Sequence, residues 1–172
     1  MTDSHIIQAT AICLGDDIDT DLIIAGRYLR TKDAQIWADH VLEDLDPTLQ
    51  TRVKGCIIIA GKNFGCGSSR EQAVVAIQEA GVKAIIAHSF ARIFFRNAVN
   101  IALPLFEVPG ISCHEGDKII CSLETGQISI QNESGETVTY QACPLSERMV
   151  EIISLGGLVP YIEKRLPARF TP

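Results

Sequence analysis

The feature that most constrains the fold is a pair of short aliphatic runs separated by one helix-length segment. Residues 56–60 and 82–87 consist mostly of Ile, Val and Ala, a composition typical of strands buried on both faces of a sheet. Between them, residues 73–80 have the composition of a helix, and Gly81 ends it. Two strands joined by one helix form a βαβ unit, in which the strands run parallel and the crossover is right-handed.

A glycine-rich turn, residues 61–73, connects the first of these strands to the helix. Gly61, Gly65 and Gly67 allow positive φ and a close approach of the backbone to a ligand. The first turn of a helix leaves N–H groups free and favours negative charge, and the planar guanidinium of Arg70 suits a carboxylate or a phosphate. The segment therefore predicts an anion site. It fits neither the P-loop pattern nor Gly-x-Gly-x-x-Gly, so neither nucleotide motif is supported.

The same turn also has a purely structural interpretation. Ser68 or Ser69 could serve as the N-cap of the helix, and Glu71 or Gln72 could complete a capping box. Ordinary helix starts contain the same residue types, so the residues alone leave both interpretations open. Both hold together if Ser69 caps the helix while Ser68 faces a ligand.

Two charged segments precede this unit. Residues 15–21 carry four carboxylates, which could form a calcium cage, a solvated turn whose side chains bond the backbone, or a support in which Asp21 orients an arginine of the anion site. The calcium pattern is incomplete, because the central glycine and the terminal glutamate are missing. Residues 27–32 are basic. A basic loop beside an anion site would suit a di- or tricarboxylate, and an ordinary exposed loop is equally compatible with the pattern.

The remaining hydrophobic patterns complete an α/β chain whose last third changes character. From residue 109 onward, short alternating runs punctuated by glycine predict antiparallel hairpins. No repeat, low-complexity tract or linker interrupts residues 1–172, which are predicted to form one domain. The other predicted elements are strands at 6–14, 101–107, 118–123, 127–131 and 137–140, helices at 33–45 (N-cap Asp33), 91–100 (N-cap Ser89), 146–155 and 158–166, and a helical turn at 49–53.

Composition argues against several classes of protein. The 172-residue chain is 47% hydrophobic and carries a net charge of −6, a balance that argues against a nucleic-acid-binding surface. No apolar run approaches the roughly 20 residues of a membrane span, and residues 1–7 lack the basic start and apolar core of a signal peptide. The six cysteines show neither C-x-x-C nor cluster spacing. They are expected to be buried free thiols of a cytoplasmic protein, with Cys66 a small packing residue.

The order of the motifs resembles a known family. Residues 17–24, the string GKNFGCGSSRE at 61–71, and SFARIF at 89–94 followed by Asn97 are similar to the small subunits of 3-isopropylmalate dehydratase and homoaconitase, in the aconitase superfamily. The resemblance covers nearly the whole chain, including residues 156–161. Gln72 is a departure, because many members have His there, and the subgroup is left open.

The resemblance implies a swivelling three-layer β/β/α domain with a parallel βαβ core and an antiparallel C-terminal β section. It also implies a separate large subunit that carries a [4Fe-4S] cluster, while this chain binds no metal. The implied activity is that of a hydro-lyase of leucine biosynthesis, which moves a hydroxyl between adjacent carbons by reversible dehydration of 2- and 3-isopropylmalate. The active site would lie between the two chains.

The resemblance further implies roles for individual residues. Ser68 would be the catalytic base, deprotonated with the help of nearby cations and N–H dipoles. The implied substrate-binding residues are Ser69, Arg70, Tyr28, Arg30 and Thr31, and the implied supporting residues are Asp21, Gly65 and Gly67.

Arg30 leaves the substrate open. An apolar residue at this position would suit the isopropyl group of isopropylmalate, whereas Arg30 could pair with the distal carboxylate of a homoaconitate-type tricarboxylate. Isopropylmalate is favoured because that enzyme dominates the family, and homoaconitase or a related hydratase of substituted malates is the alternative. A carboxylate-binding regulatory module without catalysis is the non-enzyme alternative.

Overall fold

The computed structural model describes residues 6–166. Part of the segment for which no signal peptide is expected, residues 1–7, lies outside that range. Within it, no helix is long and apolar enough to cross a membrane.

Seven strands form one mixed sheet in the order β4-β3-β2-β1-β5-β6-β7. The strands β1 to β4 are parallel to one another, and β5 to β7 extend the sheet in antiparallel fashion. The strands are β1 Ile6–Cys13, β2 Ile57–Ala60, β3 Ala84–Ala87, β4 Leu105–Glu107, β5 Lys118–Ser122, β6 Gln127–Gln131 and β7 Thr137–Gln141. The α/β prediction, with a parallel βαβ core and an antiparallel C-terminal section, is confirmed.

The helices are short, and five of them precede the antiparallel section. They are α1 Thr20–Ile23, α2 Ala34–Asp39, α3 Leu49–Arg52, α4 Glu71–Glu79, α5 Arg92–Asn100, α6 Glu147–Ser154 and α7 Leu158–Glu163, with a single 3₁₀ turn at Gly26–Tyr28. The β2–α4–β3 segment is the βαβ unit predicted from the two aliphatic runs, and β2 pairs with β3 in parallel.

Three layers result from the alternation of side chains along the central strands. On one face, Ile58 and Ile85 pack against the helices, in a core that includes Ile77 of α4 and Phe94 of α5. On the other face, Ile57, Ile59 and Ile86 pack against residues of the antiparallel section, which curls over them; its contributors include Ile119, Ile128 and Ile130. Strands buried on both faces are uniformly apolar, which explains why β2 and β3 show no polar alternation.

Two helices are shorter in the structure than the sequence predicts. The helix predicted at 33–45 ends at Asp39, although Asp33 caps it as expected by accepting a hydrogen bond from the Gln35 N–H. Leu42 has φ 57° and donates its N–H to the Ile23 carbonyl at 2.9 Å, so contact with α1 replaces the next helical turn. The last helix, predicted at 158–166, ends at Glu163.

The predicted cap of α5 is wrong. Ala91 occupies the N-cap position and makes no side-chain cap, whereas the Ser89 hydroxyl accepts the N–H of Asn63 at 2.9 Å. Ser89 therefore stabilises the glycine-rich turn rather than the helix that follows it.

The cysteines are less uniform than expected. All six are free, and only Cys121 is fully buried, while Cys143 is exposed. The prediction of buried thiols is therefore wrong for Cys143.

Candidate functional site

The glycine-rich turn lies at the carboxyl end of β2 and is bonded to the segment that leaves β1. Because the two strands are parallel neighbours, the chain emerges from both at the same edge of the sheet. Four backbone hydrogen bonds of 2.8 to 3.0 Å join the two segments: Gly61 N–H to Gly15 O, Asp17 N–H to Lys62 O, Gly65 N–H to Ile18 O and Thr20 N–H to Cys66 O. The acidic segment and the turn are therefore one structural unit.

The glycine-rich turn packs on a cluster of three aromatic rings. Phe64 is fully buried, and its ring packs edge-on against Phe90 and Phe94 at centroid distances of 6.2 and 5.3 Å. A Cβ on Gly65 would overlap the Phe94 ring, and Gly65 has φ 77°. The segment 89–94, whose motif was read in the sequence as a family signature, thus provides the surface on which the turn rests.

Ser68 is held by Thr20 and does not cap a helix. The Ser68 hydroxyl oxygen lies 3.1 Å from Thr20 Oγ1, and the Ser68 N–H donates to the same oxygen at 3.1 Å. Thr20 is 1% exposed, whereas Ser68 is exposed. The hydroxyl of Ser68 is therefore anchored on its inner side and open on its outer side.

The capping interpretation of the turn is wrong. The N-cap of α4 is Arg70, and it makes no side-chain cap. Within residues 6–166, neither Ser68 nor Ser69 accepts a hydrogen bond from an N–H of α4 through its side chain. The first turn of this nine-residue helix keeps its N–H groups free of side-chain partners, so it can still bind an anion.

Arg70 is oriented by Asp21, as the sequence analysis expected of an arginine in the site. Arg70 Nη1 donates to Asp21 Oδ1. The Arg70 side chain is 24% exposed and the Asp21 side chain 62%. An ion pair this exposed contributes little to stability, but it sets the direction of the guanidinium. One edge of the Arg70 fork is used in this contact, and the guanidinium has further N–H groups for a ligand.

The other carboxylates of residues 15–21 bond the protein itself. Asp19 Oδ1 accepts the N–H groups of Asp21 and Leu22 at 2.8 and 2.9 Å and so caps α1. Asp16 accepts the Lys62 N–H, and Asp17 accepts the side-chain amide of Asn63 at 2.8 Å. The prediction of side chains that bond the backbone is confirmed for Asp16 and Asp19, whereas Asp17 bonds a side chain. No group of three potential metal ligands is found among residues 6–166.

The residues predicted to read the substrate's variable group lie on a separate loop. The hydroxyl of Tyr28 donates to Glu43 at 3.0 Å, and its ring stacks on His40 at 3.9 Å with an interplanar angle of 9°. The guanidinium of Arg27 also lies over the Tyr28 ring, 4.8 Å from its centroid, and pairs with Asp44. Tyr28 therefore organises the loop through its own contacts.

Arg30 and Thr31 differ in how they are used. Thr31 Oγ1 accepts the Asp33 N–H at 3.0 Å, at the start of α2. Arg30 is exposed and makes no ion pair with any residue in the described range. Between residues 6 and 166, no hydrogen bond or ion pair joins the side chains of 28–31 to those of 65–70, so the structure does not bring the two predicted groups into direct contact.

Two further residues of the turn that the sequence singles out are Cys66 and Gln72. Burial, reinforced by the nearby carboxylates of Asp19 and Asp17, raises the pKa of the Cys66 thiol, which disfavours the thiolate needed for redox or cluster chemistry. Gln72 is partly exposed in the first turn of α4.

Sequence reasoning missed Thr20 and Glu43. Thr20 is the buried residue that holds Ser68, and Glu43 is the carboxylate that gathers His40, Tyr28 and Arg27. The only signal for Thr20 was its place between two aspartates in the motif at 17–24. No sequence signal indicated Glu43, because its partners come together only through the turn at Leu42, which lies inside the range predicted as helix.

Comparison with known proteins places this geometry in a family. Residues 12–107 match the family of the aconitase C-terminal domain. The 3-isopropylmalate dehydratase small subunit of Moorella thermoacetica is 51% identical over 164 residues, covering 94% of this chain and 97% of its own length. That of Thermodesulfovibrio yellowstonii is 52% identical over 155 residues, covering 88% and 90%. The crystal structure of 3-isopropylmalate dehydratase from Methanocaldococcus jannaschii superposes with a TM-score of 0.86 at 44% identity, covering 93% of this chain and 95% of the other.

Proposed function

The chain belongs to the small subunits of 3-isopropylmalate dehydratase, in the aconitase superfamily, and we propose that it supplies the proton-transfer and carboxylate-binding half of a shared active site. The single observation that carries this proposal is the arrangement at the edge of the sheet. An exposed hydroxyl, Ser68, is anchored by a buried hydroxyl, and an oriented guanidinium, Arg70, lies two residues along the chain.

The reaction is the interconversion of 2- and 3-isopropylmalate by loss and return of water. In the first half, Ser68 Oγ removes the proton on the carbon next to a substrate carboxylate, a carbon–carbon double bond forms, and hydroxide leaves from the adjacent carbon. In the second half, the hydroxyl adds to the other carbon and Ser68 returns its proton. The hydroxyl has then moved by one carbon with no net change in oxidation state.

A serine hydroxyl becomes a base only where its anion is stabilised. Hydrogen bonds to the anion, nearby positive charge and exclusion of water act in that direction. Thr20 and Arg70 come from this chain. This chain by itself does not exclude water from the site, because Ser68 and Ser69 are exposed. The proposal therefore requires a second protein surface to close the site.

Arg70, Ser69 and the start of α4 would bind the substrate carboxylate. A guanidinium accepts a carboxylate through two parallel hydrogen bonds, and free N–H groups at a helix start add further donors. The contact between Arg70 and Asp21 fixes the fork, and Ser69, which is exposed, stands between Arg70 and Ser68 in the sequence.

The partner would be the large subunit, and it would carry the [4Fe-4S] cluster, since residues 6–166 offer no set of three ligands. The iron of such a cluster supplies Lewis acidity toward the departing hydroxyl. Residues of this chain would bind the carboxylate, orient it and move the proton.

The test is reconstitution of the purified small chain with the large subunit from the same organism. We expect interconversion of 2- and 3-isopropylmalate only when the two are mixed, and Ser68→Ala should lower kcat by at least about 10³-fold. Ser134→Ala, at an exposed position in the β6–β7 hairpin, is the matched control and should retain the wild-type rate.

Two results would contradict the proposal. A near wild-type rate for Ser68→Ala would remove the assigned base. Absence of any rate with the large subunit, together with carboxylate binding detected by calorimetry, would instead indicate a regulatory binding module.

A homoaconitate-type tricarboxylate is the second candidate substrate, because Arg30 is exposed and makes no ion pair within the described part of the chain. Its charge is available to a distal carboxylate. Assays of Arg30→Val on both substrates decide between the two. If the tricarboxylate is the substrate, kcat/KM for it should fall by about 10- to 100-fold while turnover of isopropylmalate is kept or improved.

A further inference from the structure

We infer that Thr20 is a positioning residue for the base. It holds Ser68 in place, and its hydroxyl donates a hydrogen bond to Ser68 Oγ when that oxygen is deprotonated. This inference rests on the proposed function, because it requires Ser68 to be the base. It goes beyond it by assigning the stabilisation of the deprotonated serine to a residue of this chain.

Thr20 is held in place by its backbone contacts and by burial. It is the first residue of α1, directly after the N-cap Asp19, and its N–H donates to Cys66 O at 2.9 Å. The residue is 1% exposed. Its hydroxyl lies 3.1 Å from both the N atom and the Oγ atom of Ser68, and 3.3 Å from the Ser68 carbonyl oxygen.

Counting protons shows what this hydroxyl can do. Thr20 Oγ1 accepts the N–H of Ser68, so its single O–H remains to be donated. Two acceptors are within reach, the carbonyl oxygen and Oγ of Ser68. While Ser68 is protonated, its own O–H can donate to Thr20, and the Thr20 proton can then point to the carbonyl.

Deprotonation of Ser68 removes that choice. An alkoxide can only accept, so the Thr20 O–H turns to Ser68 Oγ, and the hydrogen bond becomes charge-assisted. A donor to the charged form favours that form. Thr20 is shielded from water, so the interaction is stronger than the same contact at an exposed position.

Gly67 makes this approach possible. Its φ is 89°, and a Cβ at Gly67 would lie 3.3 Å from Thr20 Oγ1 and 3.5 Å from the Cβ of Asp19. The glycine before Ser68 therefore lets the turn descend onto Thr20. The supporting role predicted for Gly67 stays a prediction, and this contact gives it a physical reason.

The experiment compares Thr20→Val with Thr20→Ser in the reconstituted complex. Valine keeps the shape and removes the hydroxyl, whereas serine keeps the hydroxyl. We expect Thr20→Val to lower kcat by about 10- to 100-fold near neutral pH, the effect of losing one hydrogen bond to a charged group, with KM changed less than about twofold. Thr20→Ser should stay within about threefold of wild type.

The pH profile separates this role from a merely structural one. Loss of a donor to the alkoxide makes Ser68 harder to deprotonate, so the rising limb of kcat should move to higher pH by about one unit for each tenfold loss. The deficit of Thr20→Val should then shrink as the pH rises. Thr51→Val is the control, because the exposed Thr51 hydroxyl donates to the Thr48 carbonyl at 3.2 Å, on α3. Its profile should match wild type.

The outcomes distinguish the inference from the proposed function. An unshifted profile for Thr20→Val, or a loss in Thr20→Ser as large as in Thr20→Val, overturns the positioning role, even where Ser68→Ala is inactive. Activity in Ser68→Ala overturns the base itself. Thermal melts and co-purification with the large subunit establish that each variant is folded and assembled.

Discussion

Two loops carry the residues to which substrate-binding roles are assigned, and they are built in different ways. The turn at 61–70 is joined to residues 15–20 by four backbone hydrogen bonds, and the side chains of Thr20, Asp21, Asp16, Asp17 and Ser89 add hydrogen bonds to it. The loop at 26–32 is held by side chains: Arg27 with Asp44, and Tyr28 with His40 and Glu43. The first kind of support rests mainly on the backbone and on the glycines, whereas the second depends on the identity of each residue.

The energetic character of the second loop follows from Glu43. Burial opposes ionisation of this carboxyl, but hydrogen bonds from His40 and Tyr28, with Arg27 adding to them, hold the pKa of Glu43 below its ordinary value. Asp44 is affected in the same direction by its contact with Arg27. One carboxylate thus binds three partners.

The comparison suggests a division of labour. The chemistry common to every substrate needs an invariant position for base and guanidinium, which a backbone-built turn provides. Recognition of a variable group needs residues that can be exchanged, which a loop held by side chains permits. The following substitutions are ordered from the largest expected effect to the smallest.

The first substitution attacks the backbone-built turn. Gly65→Ala places a methyl group at φ 77° and against the ring of the buried Phe94, so it should lower the free energy of unfolding by about 3 kcal/mol or more and abolish activity. Gly110→Ala is the control, because φ is 81° but the surrounding space is open, and it should cost only about 1–2 kcal/mol. Chemical denaturation measures both. Equal losses would show that Phe94 does not support the turn.

The second substitution removes the charge that orients Arg70. Asp21→Asn should raise KM by about fivefold to tenfold with little change in kcat, because the guanidinium loses its fixed direction while the base is untouched. Stability should change by less than about 0.5 kcal/mol, since the Asp21 side chain is 62% exposed. Glu151→Gln, which breaks the exposed pair with Arg165, should leave KM unchanged. An unaltered KM in Asp21→Asn would exclude the orienting role.

The third substitution tests the side-chain-built loop. Glu43→Gln should lower the free energy of unfolding by about 1 kcal/mol or less and raise KM by about threefold, with kcat maintained. Because the pKa of Glu43 is depressed in the folded protein, the stabilisation is present at neutral pH and is lost as the pH falls below about 4.5.

Unfolding of wild type and Glu43→Gln should therefore converge in acid. Glu124→Gln, at an exposed hairpin position, is the control and should show no such convergence. A kcat loss in Glu43→Gln comparable with that of Ser68→Ala would mean that the loop takes part in the chemistry and not only in recognition.

Much of the fold was predictable because β2 and β3 are buried on both faces, while β5 and β6 alternate between buried and less buried residues. The runs at β2 and β3, the helix between them and the hairpins of β5 to β7 follow from apolar pattern and glycine placement. The contact between Arg70 and Asp21 was also anticipated. The first follows from local composition, and the second was one of three alternatives left open for the acidic segment.

The errors share a different cause. The helix at 33–45 was predicted too long, since Leu42 bonds Ile23 instead of continuing the helix. Ser89 was assigned to the helix that follows it, whereas its hydroxyl bonds Asn63. In each case a residue with acceptable local propensity found a partner distant in sequence, and no local pattern records such a partner.

The amino-acid sequence by itself determined the βαβ core and the family, and it predicts that the turn binds an anion. The core and the character of the turn depend on periodicity, glycine placement and residue type, and the family follows from the resemblance of motifs, all of which are read along the chain. Only the tertiary structure decided what Ser68 does with its hydroxyl. A serine before a helix can cap it or face a ligand, and the choice depends on whether another hydrogen-bonding group lies within reach of its hydroxyl. Thr20, 48 residues earlier in the chain, is that partner: its hydroxyl lies 3.1 Å from Ser68 Oγ and accepts the Ser68 N–H, and the parallel pairing of β1 with β2 brings the two segments together.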